Sequence, residues 1–337
     1  MGVVVLSLSI TLVILALQPV QNESEVVVFE VQSGQSLSIV GENLKQENII
    51  RSTQAFRFVA NQENLTAIKA GKFRIDKSWT NKEILEVLNN ASLAIPDQVR
   101  VTLPEGFWAK DIAQRMSENT NVSKEALLEL WNNETYIREL MLRYDFLEES
   151  IFSEDARVYL EGYLFPETYD FFSETTAEAI TTRLLDQTQR VINRNQALFD
   201  QSDMSIHEVF TLASIVQYEA RSLQDMKMVS GVFHNRLDIN MPLQASPTVC
   251  YSLYEFDSWL DCERQTQINS PYNTYVVLGL PPGPILNPSE MALIATLEPT
   301  QTSYMYFMAD VYGDGTIYFA ETLAEHEANV DKYLRGR

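Results

Sequence analysis

The chain has 337 residues, a length that accommodates two domains. Hydrophobic residues make up 45% of the sequence and aromatic residues 10%, which is typical of a packed globular protein and argues against a disordered one. The formal net charge is −21, and an acidic surface repels phosphate groups, so the composition predicts no nucleic-acid partner.

The first 22 residues contain no charged side chain, and residues 3–17 are almost wholly apolar. This run is close to the ~20 residues that span a bilayer as a helix. A cleaved signal peptide would begin with a basic residue and end in a small-residue cleavage site, and the sequence has neither. We therefore predict an uncleaved, single-pass membrane anchor over residues 1–22. No second long apolar stretch follows, so the rest of the chain is expected on one side of the membrane.

Strand and helix patterns alternate after the anchor. Residues 25–30 (EVVVFE) predict a strand, and a turn at Gly34 precedes a predicted helix. The same order recurs seventy-two residues later, with a strand at 99–103, a turn at Gly106 and another helix. Aligning the two glycines places apolar residues at equivalent helix positions, Val40 with Ile112 and Leu44 with Met116. This self-similarity indicates two related strand–turn–helix units.

Between these units, residues 71–75 predict a strand and residues 81–88 a helix capped by Thr80. A strand–helix–helix–strand (βααβ) order is typical of LysM modules, which bind cell-wall glycan chains, although a generic α+β domain has the same pattern. We predict an α+β fold with a LysM-like region over residues 23–155 and a second domain over residues 156–337. The acid-rich residues 145–154 are a candidate hinge.

The second domain begins with a segment rich in aromatic residues, LEGYLFPETY at 160–169. Aromatic faces beside polar groups bind sugar rings, but they also pack within loops. Helices are predicted over residues 176–199 and 225–237. Residues 240–248 are expected to be irregular because Pro242 and Pro247 interrupt them.

Between those two helices lies an apolar helix with one carboxylate on its apolar side. Ser205 is its predicted N-cap, and Leu212, Ile215 and Glu219 follow one stripe at helical spacing. Apolar surroundings disfavour the charged form of a carboxylate and raise its pKa. A carboxylic acid that is protonated near neutral pH can act as a general acid. The alternative interpretation is a glutamate at a helix end that simply reaches solvent.

Two loops after this helix are candidates for the wall of a ligand groove. PYNTY at 271–275 is followed by GLPPGPILNP at 279–288, a rigid segment with few backbone donors. Residues 304–308 and 316–320 then predict two paired strands joined by a glycine-containing turn. Cys250 and Cys262 are compatible with a disulfide or with two thiols, and the spacing of cysteines and histidines predicts no metal site.

Together these motifs resemble the YceG-like endolytic murein transglycosylases, membrane-anchored lytic enzymes that cut nascent peptidoglycan. The resemblance extends from the N-terminal anchor to about residue 333. It rests on the order and spacing of all the motifs rather than on any one of them: EGYLFPETY at 161–169, ASIVxxE at 213–219, VFxNRL at 232–237, LQ at 243–244 with PTV at 247–249, YNTY at 272–275, GLPPGPI at 279–285 and YF at 306–307.

The resemblance implies a membrane anchor, a LysM-like region and a catalytic domain at the outer face of the cytoplasmic membrane. It implies that Glu219 is the catalytic acid, and that the β-1,4 bond between N-acetylmuramic acid and N-acetylglucosamine is cleaved to leave a 1,6-anhydro end. The expected partners are peptidoglycan glycan strands, the membrane and cell-wall synthesis proteins, with no cofactor and no metal. The side chains expected to bind substrate are Gln244, Tyr272, Asn273, Thr274, Tyr275, Glu161, Tyr163 and Asn235.

The sequence departs from the family pattern at four positions. Gln217 replaces the first glutamate of the motif around Glu219, Ser246 replaces an aspartate, Ile317 replaces a histidine, and Glu327 replaces an asparagine. Residues two positions apart on a helix point about 200° apart, so positions 217 and 219 face different sides. We therefore expect the change at 217 to be tolerated.

Three other functions are compatible with the sequence. The first is a glycan-binding protein whose enzyme domain is degenerate. The second is a hydrolase in which Glu219 works with another acid, such as Glu161. The third is a structural anchor or scaffold for division proteins.

Overall fold

The computed structural model describes residues 15–95 and 98–335, and most of the predicted anchor, residues 1–14, lies outside the described residues. Within the described ranges, no helix is both long and apolar enough to cross a membrane. The chain divides into two compact units, Met1–Gln98 and Val99–Arg337. This division lies after Gln98, whereas the sequence pattern placed it near residue 155.

The first unit has its own hydrophobic core, and its elements follow the βααβ order predicted from the sequence. These elements are, in chain order, β1 (Val26–Val31), α1 (Leu37–Gln46), α2 (Thr53–Gln62), β2 (Gly71–Asp76), α3 (Asn81–Asn89) and β3 (Ala94–Ile95). Strands β1 and β2 are antiparallel, with Phe29 opposite Phe73, and β3 pairs with the other edge of β2. Thr80 caps α3 as predicted, and its backbone amide donates to Glu83 in return.

The second unit is mostly helical and also contains two small sheets. Its helices are α4 (Ala109–Asn119), α5 (Lys124–Trp131), α6 (Glu134–Met141), α7 (Ala177–Arg194), α8 (Gln196–Phe199), α9 (Ile206–Glu219), α10 (Leu223–Asp238), α11 (Ser246–Leu253), α12 (Trp259–Glu263), α13 (Glu290–Leu297) and α14 (Leu323–Val330). Strand β4 (Gln98–Thr102) pairs with β5 (Thr168–Phe172), and β6 (Tyr306–Ala309) is antiparallel to β7 (Ile317–Ala320). The predicted pairing of the last two strands is therefore confirmed.

The internal repeat is visible in the backbone. The two aligned glycines, Gly34 and Gly106, have φ angles of +81° and +79°, in the left-handed region that favours glycine. Each turn precedes a helix whose aligned apolar side chains are 0% exposed, namely Val40 and Leu44 in α1 and Ile112 and Met116 in α4. Equivalent turns thus direct equivalent helices onto the cores of the two units.

Residues 99–155 belong to the core of the second unit. Trp131, at the end of α5, is fully buried, and its indole N–H donates to the Thr181 hydroxyl of α7 at 2.8 Å. Phe146, Leu147 and Ile151 are buried in the same core. Exposing buried apolar side chains costs free energy, so the prediction of a hinge at residues 145–154 is wrong.

Helix α11 begins earlier than the prolines suggested. It starts at Ser246, so Pro247 lies in the first helical turn, where the absent N–H has no intrahelical partner to lose. The prediction of irregular structure up to residue 248 is therefore wrong at its end. A disulfide between Cys250 and Cys262, with Cα atoms 5.0 Å apart, joins α11 to α12.

Candidate active site

Helix α9 is buried through most of its length and ends at Glu219, which lines a cavity. Ser205 caps the helix as predicted, through a capping box with Glu208. Every residue from 209 to 216 is buried. A helix that is buried on all sides is fixed by its surroundings. Its last turn therefore holds the half-buried Glu219 in a defined position.

The cavity beside Glu219 has a volume of about 350 Å³. Segments that are distant in sequence line it, and besides Glu219 the polar or aromatic side chains among them are Arg236, Gln244, Ser246, Tyr275, Tyr306, Phe307 and His326. Across residues 15–95 and 98–335, no group of three or more His, Cys, Asp or Glu side chains could hold a metal ion. The cavity is thus a groove with one candidate acid and several hydrogen-bonding groups.

The surroundings of Glu219 keep its carboxyl group partly protonated at neutral pH. Burial raises its pKa to about 7; the negative charge of Glu263 acts in the same direction, and Arg236 acts against it. The C-terminal end of the α9 dipole also disfavours a negative charge at this position. A pKa near 7 suits a group that must both give and accept a proton.

Arg236 connects the elements that surround the cavity. It is 5% exposed, and its guanidinium donates to the carbonyl oxygens of Met305 at 2.7 Å and Leu243 at 2.6 Å. The same guanidinium lies over the Tyr306 ring at 5.3 Å, and His326 stacks on that ring at 5.5 Å. The sequence predictions missed these three cavity residues, although Arg236 and Tyr306 lie within family motifs, because nothing local indicates that α10, β6 and α14 meet at Glu219.

Gln244 lies in the cavity with an unusual backbone. Its φ angle is +51°, which costs free energy for a residue with a side chain. Its N–H donates to the Thr274 carbonyl at 3.0 Å, and the next amide, of Ala245, donates to the Thr274 hydroxyl at 3.0 Å. Thr274 therefore holds Gln244 in place.

Comparisons with a family model and with known proteins agree on one family. The model of the YceG-like family matches residues 29–332. The chain belongs to this family. It is 32% identical over 324 residues to the endolytic murein transglycosylase of Bacillus subtilis (strain 168), covering 95% of this chain and 89% of that protein. It is 30% identical over 330 residues to the endolytic murein transglycosylase of Streptococcus pneumoniae (strain D39), covering 94% of this chain and 60% of that longer protein.

A solved structure extends the YceG-like assignment to the fold. The crystal structure of a putative YceG-like protein from Listeria monocytogenes superposes with a TM-score of 0.63 at 30% identity. The match covers 91% of this chain and 100% of that chain. The predicted family and the mixed α+β fold are both confirmed.

The YNTY motif of this YceG-like chain is mostly a scaffold for the cavity. Tyr275 lines the cavity, whereas Tyr272 is 3% exposed and Asn273 and Thr274 are fully buried. The Asn273 side chain donates to the carbonyls of Thr266 at 3.0 Å and Ile268 at 2.8 Å. Of the residues expected to bind substrate, the structure thus brings Gln244 and Tyr275 to Glu219.

Asn235 also has structural partners. Its side-chain amide donates to the carbonyl oxygens of Thr302 at 2.8 Å and Tyr304 at 2.9 Å. These contacts fix the segment that leads into β6. Because Tyr306 of β6 lines the cavity, Asn235 helps to position this wall without lining the cavity itself.

Glu161 and Tyr163 lie in the interior, away from the residues that line the cavity. Glu161 is 2% exposed and accepts hydrogen bonds from the Ala109 amide at 2.8 Å, the Asn287 side chain at 3.0 Å and the Tyr251 hydroxyl at 3.2 Å. Burial raises its pKa to about 8. These contacts give Glu161 a structural place in the fold.

The Tyr163 hydroxyl pairs with His207 Nδ1 at 2.9 Å, and the other ring nitrogen, Nε2, lies 3.0 Å from the Pro282 carbonyl. A carbonyl can only accept, so Nε2 carries a proton and donates it to the Pro282 carbonyl. The sequence predicted the proline-rich loop at 279–288 as a groove wall. The structure buries most of this loop against α9, where the Ile285 amide donates to the Ser214 hydroxyl at 3.0 Å, and none of its residues lines the cavity beside Glu219.

Gly162 explains how closely the two longest family motifs pack. Its φ angle is +90°, and a Cβ added there would lie 2.4 Å from the Pro284 Cβ. No residue with a side chain fits this contact. The EGYLFPETY and GLPPGPI motifs therefore form one packed layer that supports the helix of Glu219.

The YceG-like positions that differ in this chain have different surroundings. Gln217 accepts a hydrogen bond from the Ser289 amide at 2.8 Å, on a different side of α9 from the cavity. Ser246 lines the cavity, and Ile317 packs against the hydrophobic core from β7. Glu327 is exposed. The expectation that positions 217 and 219 point to different sides is confirmed.

Proposed function

We propose that this YceG-like chain is an endolytic murein transglycosylase that cleaves the β-1,4 bond between N-acetylmuramic acid and N-acetylglucosamine, leaving a 1,6-anhydro end. Two relatives with that enzyme name align over 95% and 94% of the chain. The observation that best supports the chemistry is Glu219, a carboxyl group with a pKa of about 7 at the edge of a polar and aromatic cavity.

In this mechanism Glu219 acts first as an acid and then as a base. The carboxylic acid donates its proton to the glycosidic oxygen as the bond from that oxygen to C1 breaks, and N-acetylglucosamine leaves with a free 4-hydroxyl. The carboxylate then removes the proton from the C6 hydroxyl of N-acetylmuramic acid while the C6 oxygen bonds to C1. Glu219 ends protonated, and no water is consumed.

One carboxyl group is enough for this reaction. Glycoside hydrolases commonly need a second carboxylate as nucleophile or to activate water. Here the substrate supplies the attacking hydroxyl, and its high effective concentration replaces a positioned water. Arg236 would stabilise the carboxylate between the two steps, because its fixed positive charge acts on Glu219. Gln244, Tyr275 and His326 would bind polar groups of the sugars.

The hydrolase that pairs Glu219 with Glu161 has less support. Both Glu161 oxygens already accept hydrogen bonds inside the protein, and Glu161 does not line the cavity. A carboxylate that activates water must reach the sugar, and Glu161 is 2% exposed.

Mass spectrometry of digested peptidoglycan tests the proposal. The wild-type chain should release anhydro-muropeptides, and Glu219→Gln should lower their yield by about 10²–10⁴-fold. Glu161→Gln is the matched control and should keep the yield. Reducing ends from the wild type would indicate hydrolysis, and no products would indicate a binding protein. An undiminished anhydro yield from Glu219→Gln would refute the assignment of the acid.

We also propose that residues 1–22 anchor the chain and that the catalytic unit lies outside the cytoplasmic membrane. The uncharged N-terminal run supports the anchor. The disulfide between Cys250 and Cys262 supports an oxidising compartment. Protease added to intact spheroplasts should digest the catalytic unit while a cytoplasmic marker survives. A protected catalytic unit, or a chain recovered in the soluble fraction, would contradict this location.

A further inference from the structure

A second cavity, of about 240 Å³, lies on the same unit as Glu219 and is built mainly from aromatic rings. Its floor is Trp108, which is 5% exposed and stacks on Tyr254 with centroids 5.3 Å apart. Trp259 meets Trp108 edge-on at 6.1 Å and remains 42% exposed. The Lys110 ammonium lies over the Trp108 and Tyr254 rings, at 4.7 Å and 4.1 Å, so Trp259 is the exposed aromatic residue of this cavity. The proposed cleavage chemistry does not use it.

Trp259 connects this cavity to the last turn of α9. Its ring centroid lies 5.1 Å from that of Tyr218, the residue before Glu219, and Tyr218 is 39% exposed. The Tyr218 hydroxyl donates to Glu263 at 3.3 Å, and Glu263 is the last residue of α12, which begins at Trp259. Tyr218 and Trp259 thus form an aromatic pair, called here the aromatic platform, which connects the last turn of α9 to the second cavity.

The aromatic platform is held in place before any ligand binds. The Cys250–Cys262 disulfide joins α12 to α11, and Ser258 caps α12 by accepting from the Asp261 amide. Phe256 packs edge-on against Trp259 at 5.1 Å. A surface that is ordered in advance loses less conformational entropy on binding.

The charged groups at the rim of the cavity favour a neutral ligand. Lys110 is held by the Tyr254 carbonyl at 2.5 Å and the Glu255 carboxylate at 3.0 Å. Asp111 accepts from the Trp108 amide at 3.3 Å, at the start of its own helix. Lys110 and Glu255 compensate each other's charge, and Asp111 accepts a hydrogen bond within the protein, so the rim does not require a charged ligand.

We propose that Tyr218 and Trp259 form a remote subsite that binds one sugar ring of the glycan strand whose scissile bond lies at Glu219. The C–H face of a pyranose packs against an aromatic face, and its hydroxyls bond to a polar rim. This inference rests on the proposed function, because one strand then contacts both cavities. A contact with a sugar distant from the reacting bond binds the strand equally well in the ground state and in the transition state. It therefore lowers KM without changing kcat, and it favours cleavage within a strand.

Fluorescence and kinetics test the subsite in the full chain. The probe is the hexamer of N-acetylglucosamine. The signal is the tryptophan fluorescence of the wild type minus that of the Trp259→Phe variant, and this difference reports the emission of Trp259. Adding the hexamer should shift this emission to the blue. On peptidoglycan, Trp259→Ala should raise KM by about ten-fold and leave kcat unchanged. Trp259→Phe should keep most of the affinity because it retains an aromatic face.

Phe172→Ala is the matched control, because Phe172 is an aromatic side chain of the same unit that is 60% exposed in β5. It should change neither the emission shift nor KM. The inference fails alone if the wild type releases anhydro-muropeptides but Trp259→Ala keeps the wild-type KM, or if no emission shift occurs. If the hexamer shifts the Trp259 emission but no anhydro-muropeptides form, the proposed function fails, and Trp259 is then a glycan-binding residue without a cleavage site beside it.

Discussion

The raised pKa of Glu219 lowers the stability of the folded chain at neutral pH. Its pKa of about 7 in the folded chain lies above the value of about 4.3 for glutamate in an unfolded chain. A raised pKa means that the folded state binds the proton more tightly. The stabilisation from this proton is complete below about pH 4 and is lost as the pH rises through 7. The ionised carboxyl group is therefore a cost that the fold tolerates at neutral pH.

We expect Glu219→Gln to make the protein more stable at pH 8 and to lose this advantage in acid. The neutral amide avoids ionisation in the groove, and the gain in the free energy of unfolding should be about 1–2 kcal/mol, allowing for solvent in the cavity. Urea unfolding at pH 8 and pH 5 measures the difference. Glu129→Gln makes the same change from carboxyl to amide at an exposed position of α5 and is the matched control. A gain that is equal at both pH values would contradict this account.

Local sequence patterns indicate some residues of the candidate site and not others. The position of Glu219 beside apolar residues was predictable because Leu212, Ile215 and Glu219 share one helical stripe, a pattern within a few turns of chain. Its proposed role as the acid came from the family resemblance and stays a proposal. Arg236 and His326 were not predictable, because their meeting with Glu219 depends on the packing of α10 and α14. Asn273 and Thr274 show a different limit, since both side chains are fully buried although their motif lies beside the cavity.

Elements with local signals were predicted best. Ser205 and Thr80 begin their helices through capping boxes that are recognisable in the sequence. The pair of β4 and β5 was not predicted, because more than sixty residues separate Thr102 from Thr168. Pro247 gave a misleading signal, since the same residue type interrupts a helix interior and begins a helix.

The Gln217 side chain links α9 to α13. Replacing it tests whether this contact affects stability, the yield of products, or both. Its side chain accepts from the Ser289 amide at the start of α13. Gln217→Ala leaves this amide without its partner and should lower the free energy of unfolding by about 1 kcal/mol. Gln217→Glu keeps an acceptor oxygen and should stay close to the wild type. Neither variant should change the yield of anhydro-muropeptides by more than about three-fold, which corresponds to about 0.7 kcal/mol in the activation free energy.

Urea unfolding and product analysis of the two Gln217 variants check this expectation. A large loss of products from Gln217→Ala, with stability unchanged, would place Gln217 in the catalytic step. An increase in products from Gln217→Glu would show that the family's carboxylate tunes Glu219. Both results would contradict a purely structural role for the contact with Ser289.

The division of the whole molecule was harder to predict than its parts. Acidic residues at 145–154 suggested an exposed linker, but the segment alternates them with Phe146, Leu147 and Ile151, which are buried. Composition averages over a segment, whereas burial depends on each side chain. The internal repeat was a better guide, because Gly34 and Gly106 begin equivalent turns in different units.

Two separate hydrophobic cores predict two unfolding steps. Phe73 belongs to the core of the first unit and Phe210 to that of the second, and both are 0% exposed. Replacing either phenylalanine by alanine should cost about 3–5 kcal/mol. In calorimetry, Phe73→Ala should lower one transition temperature and Phe210→Ala the other, because each cavity weakens only the unit that contains it. Each variant is the control for the other, and a single transition lowered equally by both would show that the units unfold as one.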